Sequence, residues 1–106
     1  AACSGLGVHV YGDTISQLEC TRYFCDALGL DPLGLLASGS LLACVPSNDE
    51  MTIIDLLASN DIKACKIGEM VDISLGNQIT YEGITTDLPY FDRDELARYF
   101  SKTYDL

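Results

Sequence analysis

Few side chains in this chain of 106 residues are of a kind and spacing that could do chemistry. The single histidine, His9, lies in Gly5–Tyr11 (G-L-G-V-H-V-Y), where alternation puts Val8 and Val10 on one face of a strand and His9 and Tyr11 on the other. A histidine base needs a partner for its second ring nitrogen, and no neighbour in sequence offers one. His9 is therefore read as structural or solvent-facing. The five cysteines, at 3, 20, 25, 44 and 65, include no C-x-x-C and lie apart from the histidine, so no zinc pattern is present. Cys20 and Cys25 fall on one helix about 140° apart at 100° per residue, badly placed to bridge each other. All five are read as free, mostly buried thiols in a reducing compartment. A redox role for Cys20, Cys25 or Cys65 is the third-ranked use. Asp49-Glu50 resembles a metal pair, but a helix start explains both carboxylates, and no metal is assigned. Gly5-Leu6-Gly7 precedes a strand, whereas a phosphate cradle needs backbone amides at a helix start. No P-loop, nucleophile elbow, zinc-protease helix or EF-hand loop occurs. No catalytic or cofactor-binding residue is assigned, and the residues describe a domain without a self-contained active site.

The composition narrows the classes further. Sixteen acidic against six basic residues give a net charge of −10, which opposes nucleic acid and anionic membranes as partners. With 48% apolar residues a folded core is expected. No apolar run reaches the ~18–20 residues that span a bilayer, and no basic start precedes a hydrophobic block. The expectation is a soluble, cytoplasmic, single domain.

The elements that would position these residues are legible in outline. After the first strand, Thr14 with Gln17 forms a capping box for an amphipathic helix, with Leu18, Cys20, Phe24, Cys25, Ala27 and Leu28 toward a sheet. Gly29 suits a left-handed helix end, and Pro32 bars resumption. Leu33, Leu35 and Leu36 form a short apolar turn. Leu41–Val45 is a continuous apolar run closed by Pro46, expected as a central strand covered on both faces. Ser47 and Glu50 cap a helix through Met51, Ile53, Ile54, Leu56 and Leu57 that stops near Asn60-Asp61. Residues Lys63–Glu69 read as a strand. Val71, Ile73 and Leu75 alternate as another, turning at Gly76-Asn77 into a hairpin with Gln78–Tyr81. Gly83–Pro89 reads as a linker. A last helix, 92–104, takes Asp92 as cap, Glu95 reaching back and Phe91 stapled to Leu96.

Several of these pieces occur together in a known order. Ser4-Gly5-Leu6-Gly7-Val8, Leu28-Gly29-Leu30-Asp31-Pro32-Leu33, Ala37-Ser38-Gly39-Ser40-Leu41-Leu42, Val45-Pro46 and Lys66-Ile67-Gly68-Glu69 resemble the C-terminal domain of the aminoimidazole ribonucleotide (AIR) synthase-related superfamily. Within it the pattern is most similar to the hydrogenase expression/formation protein of the E type, over roughly residues 3 to 83. The resemblance implies an α+β fold, an α/β/α three-layer arrangement on a mixed sheet, partly ferredoxin-like. It implies a longer parent whose N-terminal domain supplies most of the ATP and magnesium site and usually the dimer interface. The segment of D-x-T-R-G-G type would precede Ala1. The partners implied are that N-terminal domain, a second copy in a homodimer, and a hydrogenase-maturation protein. The hydrogenase factor dehydrates a carbamoyl group on its own C-terminal cysteine, at the end of a P-R-I-C-like tail. This chain ends Lys102-Thr103-Tyr104-Asp105-Leu106, and its last cysteine, Cys65, falls in a predicted strand. Residues 1–106 are thus expected to be one C-terminal domain with helix 92–104 added, inert alone. The alternative is a non-catalytic binding or assembly domain that uses the added helix.

Overall fold

A computed structural model describes residues 2–104. The chain forms two compact units: residues up to Ile15 together with Leu42–Leu88, and Ser16–Leu41 together with the residues from Pro89 onward. The elements are strand β1 (Gly7–Tyr11), helix α1 (Glu19–Leu28), helix α2 (Glu50–Ala58), strands β2 (Gly68–Val71), β3 (Asn77–Tyr81) and β4 (Ile84–Asp87), and helix α3 (Glu95–Tyr104). This is an α+β chain with one mixed four-stranded sheet, in the order β2-β1-β3-β4.

The sheet belongs to the first unit. Strand β1 pairs antiparallel with β2 and parallel with β3, and β3 pairs antiparallel with β4. Val8, Val10, Met70 and Ile79 share one face by register, and Ile79 is the buried centre of that face. Gly7 permits the close approach of β1 to the segment before β3. A Cβ there would collide with the carbonyl oxygen of Gly76, the group that accepts from Val8 N at 3.1 Å.

Five expectations about the strands give way. Leu41–Val45 forms no strand, and Leu41 and Leu42 are 92% and 78% exposed. Both sides of β1 are already bonded, to β2 and β3, and the run crosses between the two units at Leu41–Leu42. Residues 63–67 are not strand; β2 starts at Gly68, so Cys65 precedes it. Val71 to Leu75 does not continue as a strand either. Asp72 accepts from Ser74 N at 2.9 Å and turns Ile73–Leu75 into a 3-10 turn, a local bond that competes with the ladder. Gly76-Asn77 therefore makes no hairpin, since β2 and β3 flank β1 on opposite sides. The hairpin lies one strand later, in the stretch expected as a linker. Glu82 and Gly83, at φ 48° and 78°, form a two-residue turn between β3 and β4, the positive-φ geometry that suits the twist of a hairpin.

The caps also differ. Helix α1 begins after Leu18 with no side-chain cap; the Thr14 hydroxyl instead lies 2.9 Å from both the Tyr11 and Lys66 carbonyl oxygens. Neither Ser47 nor Asp49 caps α2 through its side chain, and Glu50 pairs with Lys66 at 3.1 Å. In the second unit α1 ends as expected at Gly29, φ 66°. Of its apolar arc only Cys25 is buried, while Leu18, Phe24 and Leu28 are open to solvent. The thiols follow suit: Cys25 alone is buried, and Cys3, Cys20, Cys44 and Cys65 are exposed.

Candidate functional site

Two constellations of polar side chains stand out, one in each unit. In the first, the β register lines up Glu69, His9, Gln78 and Asp87 across all four strands. Paired residues point to the same side of a sheet, so these four form one polar row. The next row carries Tyr11, Thr80 and Thr85. His9 Nε2 lies 2.7 Å from Thr80 Oγ1, and Thr80 Oγ1 lies 2.8 Å from Thr85 Oγ1. The partner that sequence neighbours could not supply thus comes from 71 residues away. The His9 and Tyr11 rings meet edge to face at 5.3 Å, as their shared face required. Burial, and then the Glu69 carboxylate that takes its hydrogen bond, push the Tyr11 phenol above its ordinary range. The Glu50 carboxylate, bonded to the ammonium of Lys66, holds that lysine's pKa above the usual value. This face offers an imidazole, three hydroxyls, an amide and two carboxylates, groups that can exchange hydrogen bonds with a ligand.

The second constellation is built on Leu28–Leu33. Asp31 Oδ1 accepts from Leu33 N at 2.9 Å, with Pro32 opening a 3-10 turn, a turn that aspartate and proline favour locally. Helix α3 then grips this corner. Asp94 caps α3 by accepting from Leu96 N and Ala97 N at 3.1 and 3.2 Å, and its other oxygen accepts from Leu36 N at 2.9 Å. Asp94 thus takes the role expected of Asp92. Glu95, expected to reach back to its own helix start, instead accepts from Asp31 N at 2.9 Å and from Arg98 at 2.7 and 2.8 Å. It is the one buried charged side chain among the described residues, 5% exposed. Arg98 Nη2 also donates to Gly29 O at 3.4 Å, where a cation suits the end of α1. The Arg98 guanidinium, and then the Asp31 amide, hold the Glu95 carboxyl down at about 2. Beside this clamp Phe24, Cys25, Leu28, Leu35 and Leu96 line an open apolar groove of about 350 Å³. Burial raises the Cys25 thiol, and so keeps it protonated and unreactive.

Every α-helix has a glutamate in its first turn, Glu19, Glu50 or Glu95; Glu50 pairs with Lys66 and Glu95 with Arg98. Among the described residues no three His, Cys, Asp or Glu side chains converge as a metal site.

The alternation of His9 and Tyr11 was readable from sequence; the identities of their cross-strand partners depend on register and were not. The clamp left a trace in the D-E-L-x-R spacing of Asp94, Glu95 and Arg98, which a capping rule alone assigns to the helix itself.

A family model described as AIR synthase related protein, C-terminal domain, matches residues 1–76. That span contains β1, α1, the Leu28–Leu33 corner, α2 and β2, and stops before β3, β4 and α3. No curated protein and no solved structure matches the chain.

Proposed function

The chain belongs to the AIR synthase-related family as a C-terminal domain, and on that premise we propose that it serves as the half of an ATP-dependent enzyme that does not hold the nucleotide. The enzyme type is hydrogenase-maturation-like, in the assembly of the cyanide ligands of nickel–iron hydrogenase. That finer reading rests on the L-G-L-D-P-L and S-G-S-L-L segments, both inside the matched span. In it the N-terminal part of a longer parent provides the ATP and magnesium site, and the partners are that part, a second copy, and a hydrogenase-maturation protein. The observation that carries the division of labour is the apolar stretch Leu41, Leu42 and Val45, which lies open to water in the middle of the matched span. Contiguous exposed apolar residues mark a surface that another body covers.

Titration calorimetry with Mg-ATP tests the reading. The chain alone is expected to give no binding heat, and the longer parent to bind. Micromolar binding by the chain alone would overturn it.

A second reading, a binding or assembly domain without catalysis, is favoured by one feature. Helix α3 lies beyond the matched span and carries Leu96 and Phe100 partly exposed. The sequence preceding Ala1 in the parent separates the two: an intact Asp/Thr/Gly-Gly segment supports the enzyme, and its loss supports binding alone.

A further inference from the structure

Strand β4 is exposed at all four of its residues, Ile84-Thr85-Thr86-Asp87, and forms one edge of the sheet. The pairing pattern shows which of its main-chain groups are open. Leu88 N donates to Asn77 O at 2.9 Å, so those two residues are a hydrogen-bonded pair. Antiparallel ladders alternate, which makes Gln78–Asp87 and Thr80–Thr85 non-bonded pairs in the register observed. The 2.8 Å contact between the Thr80 and Thr85 hydroxyls fits that closer pairing. The N–H and C=O groups of Thr85 and Asp87 therefore point away from β3, and no described residue meets them.

Natural sheets blunt such edges with short strands, charged side chains, proline, a bulge or a cover. Strand β4 is short, with 4 residues, and Asp87 is its one charge, a device that turns away acidic strands but not basic ones; it has no lysine or proline, and its register with β3 runs unbroken. Three β-branched residues keep it extended. The surrounding charge then selects among occupants. The unit that holds the sheet carries nine carboxylates against two lysines, Lys63 and Lys66, and Lys66 is paired with Glu50. A second copy would bring the same charge to the same edge and be repelled. A basic strand would be drawn in, and its alternate side chains would fall on the face where the Glu69–His9–Gln78–Asp87 row ends.

We propose that the open edge of β4 captures an extended, lysine- or arginine-bearing peptide segment of a partner protein by strand addition at Thr85 and Asp87. Main-chain bonds to those residues hold the segment, and Asp87 on that face, with the surplus of carboxylates on the unit, selects its charge. The edge lies beyond residue 76, where the family match ends.

The test uses the whole chain and a fluorescent eight-residue peptide of alternating lysine and valine. Binding read by polarisation is expected, weakening as salt rises, together with slowed hydrogen exchange at the Thr85 and Asp87 amides. The glutamate–valine analogue should fail to bind. The basic peptide N-methylated along either edge keeps its charge, loses strand addition, and should bind at least tenfold more weakly. Asp87→Pro removes an outward N–H without touching the bonds to β3, and should cause a similar loss; Asp87→Asn keeps that N–H and should cost only a few-fold. Retained exchange protection at Ile79 shows that the sheet survives in each variant, and the N-methylated peptides give the answer on the unmodified chain if it does not. Failure of the basic peptide to bind at millimolar concentration overturns the proposal. So does equal binding of the N-methylated peptides, or a dimer in the ultracentrifuge that Asp87→Pro dissolves.

Discussion

Replacing Glu95 by glutamine should remove one specific piece of the pH dependence of folding. The carboxylate accepts two hydrogen bonds from Arg98 and one from the Asp31 amide, and its pKa falls from 4.5 to about 2. A group whose pKa is lowered on folding adds stability that is complete above its unfolded value and is lost as pH falls through the folded one. The contribution of Glu95 is therefore full at neutral pH, declines below about 4.5, and is gone near 2. Within that window the unfolded chain binds up to one proton more at this position than the folded chain. The linkage slope for one proton is about tenfold in the unfolding constant per pH unit. Asp72, also lowered by its bonds to Ser74, and other carboxylates titrate nearby, so the informative quantity is the difference between the unmodified chain and Glu95→Gln. Urea titrations followed by circular dichroism at half-unit steps from pH 7 to 2 supply it. Dilute protein is needed because the isoelectric point, about 4.1, lies inside the window. The two curves should run parallel above pH 5 and converge below 4.5. Curves parallel across the whole range would refute the clamp as described.

Three other outcomes follow from the same geometry. Gly7→Ala should destabilise the chain by about 1–3 kcal/mol, the usual range for overpacking, because the added methyl meets the main chain at Gly76 and Asp72 rather than a movable side chain; a thermal melt measures it. Thr80→Val breaks both the link to His9 and the link to Thr85, and should cost about 1 kcal/mol for the lost bonds, with a changed ¹⁵N signature of the His9 ring as the local readout. Thiol titration of the native chain should find four fast cysteines and one slow, Cys25; a fifth fast thiol would contradict its burial.

What could be read in the sequence divides along the range of the interactions. Local devices were legible: the left-handed Gly29, the Asp31-Pro32 turn and the alternation of Val8 to Tyr11 each depend on residues a few positions apart. The mixed sheet and the α+β class were also within reach, and so was the family, because the Leu28–Leu33 and Gly39–Leu42 pieces are specific as a set. Pairing was not. Alternation at Val71, Ile73 and Leu75 fits a strand equally well, and only the Asp72–Ser74 bond breaks it. Glu82-Gly83 lacks the Asn-Gly or Asp-Gly form that marks a hairpin, so nothing local announces β4. Leu41–Val45 shows the weakness of an apolar run without period: its composition suits a central strand, but composition does not supply a neighbour to bond. The polar row on the sheet and the α3 clamp both join residues more than fifty positions apart, and no spacing rule reaches that far.

On the proposed function, the exposed apolar stretch inside the family-matched span is a seam that the rest of the parent covers. Amide hydrogen exchange at Leu41, Leu42 and Val45, compared between this chain alone and the longer parent, tests it most directly. Exchange close to the rate of an unstructured peptide in the chain, and strongly slowed exchange in the parent, is the predicted result. Equal rates in both would contradict it.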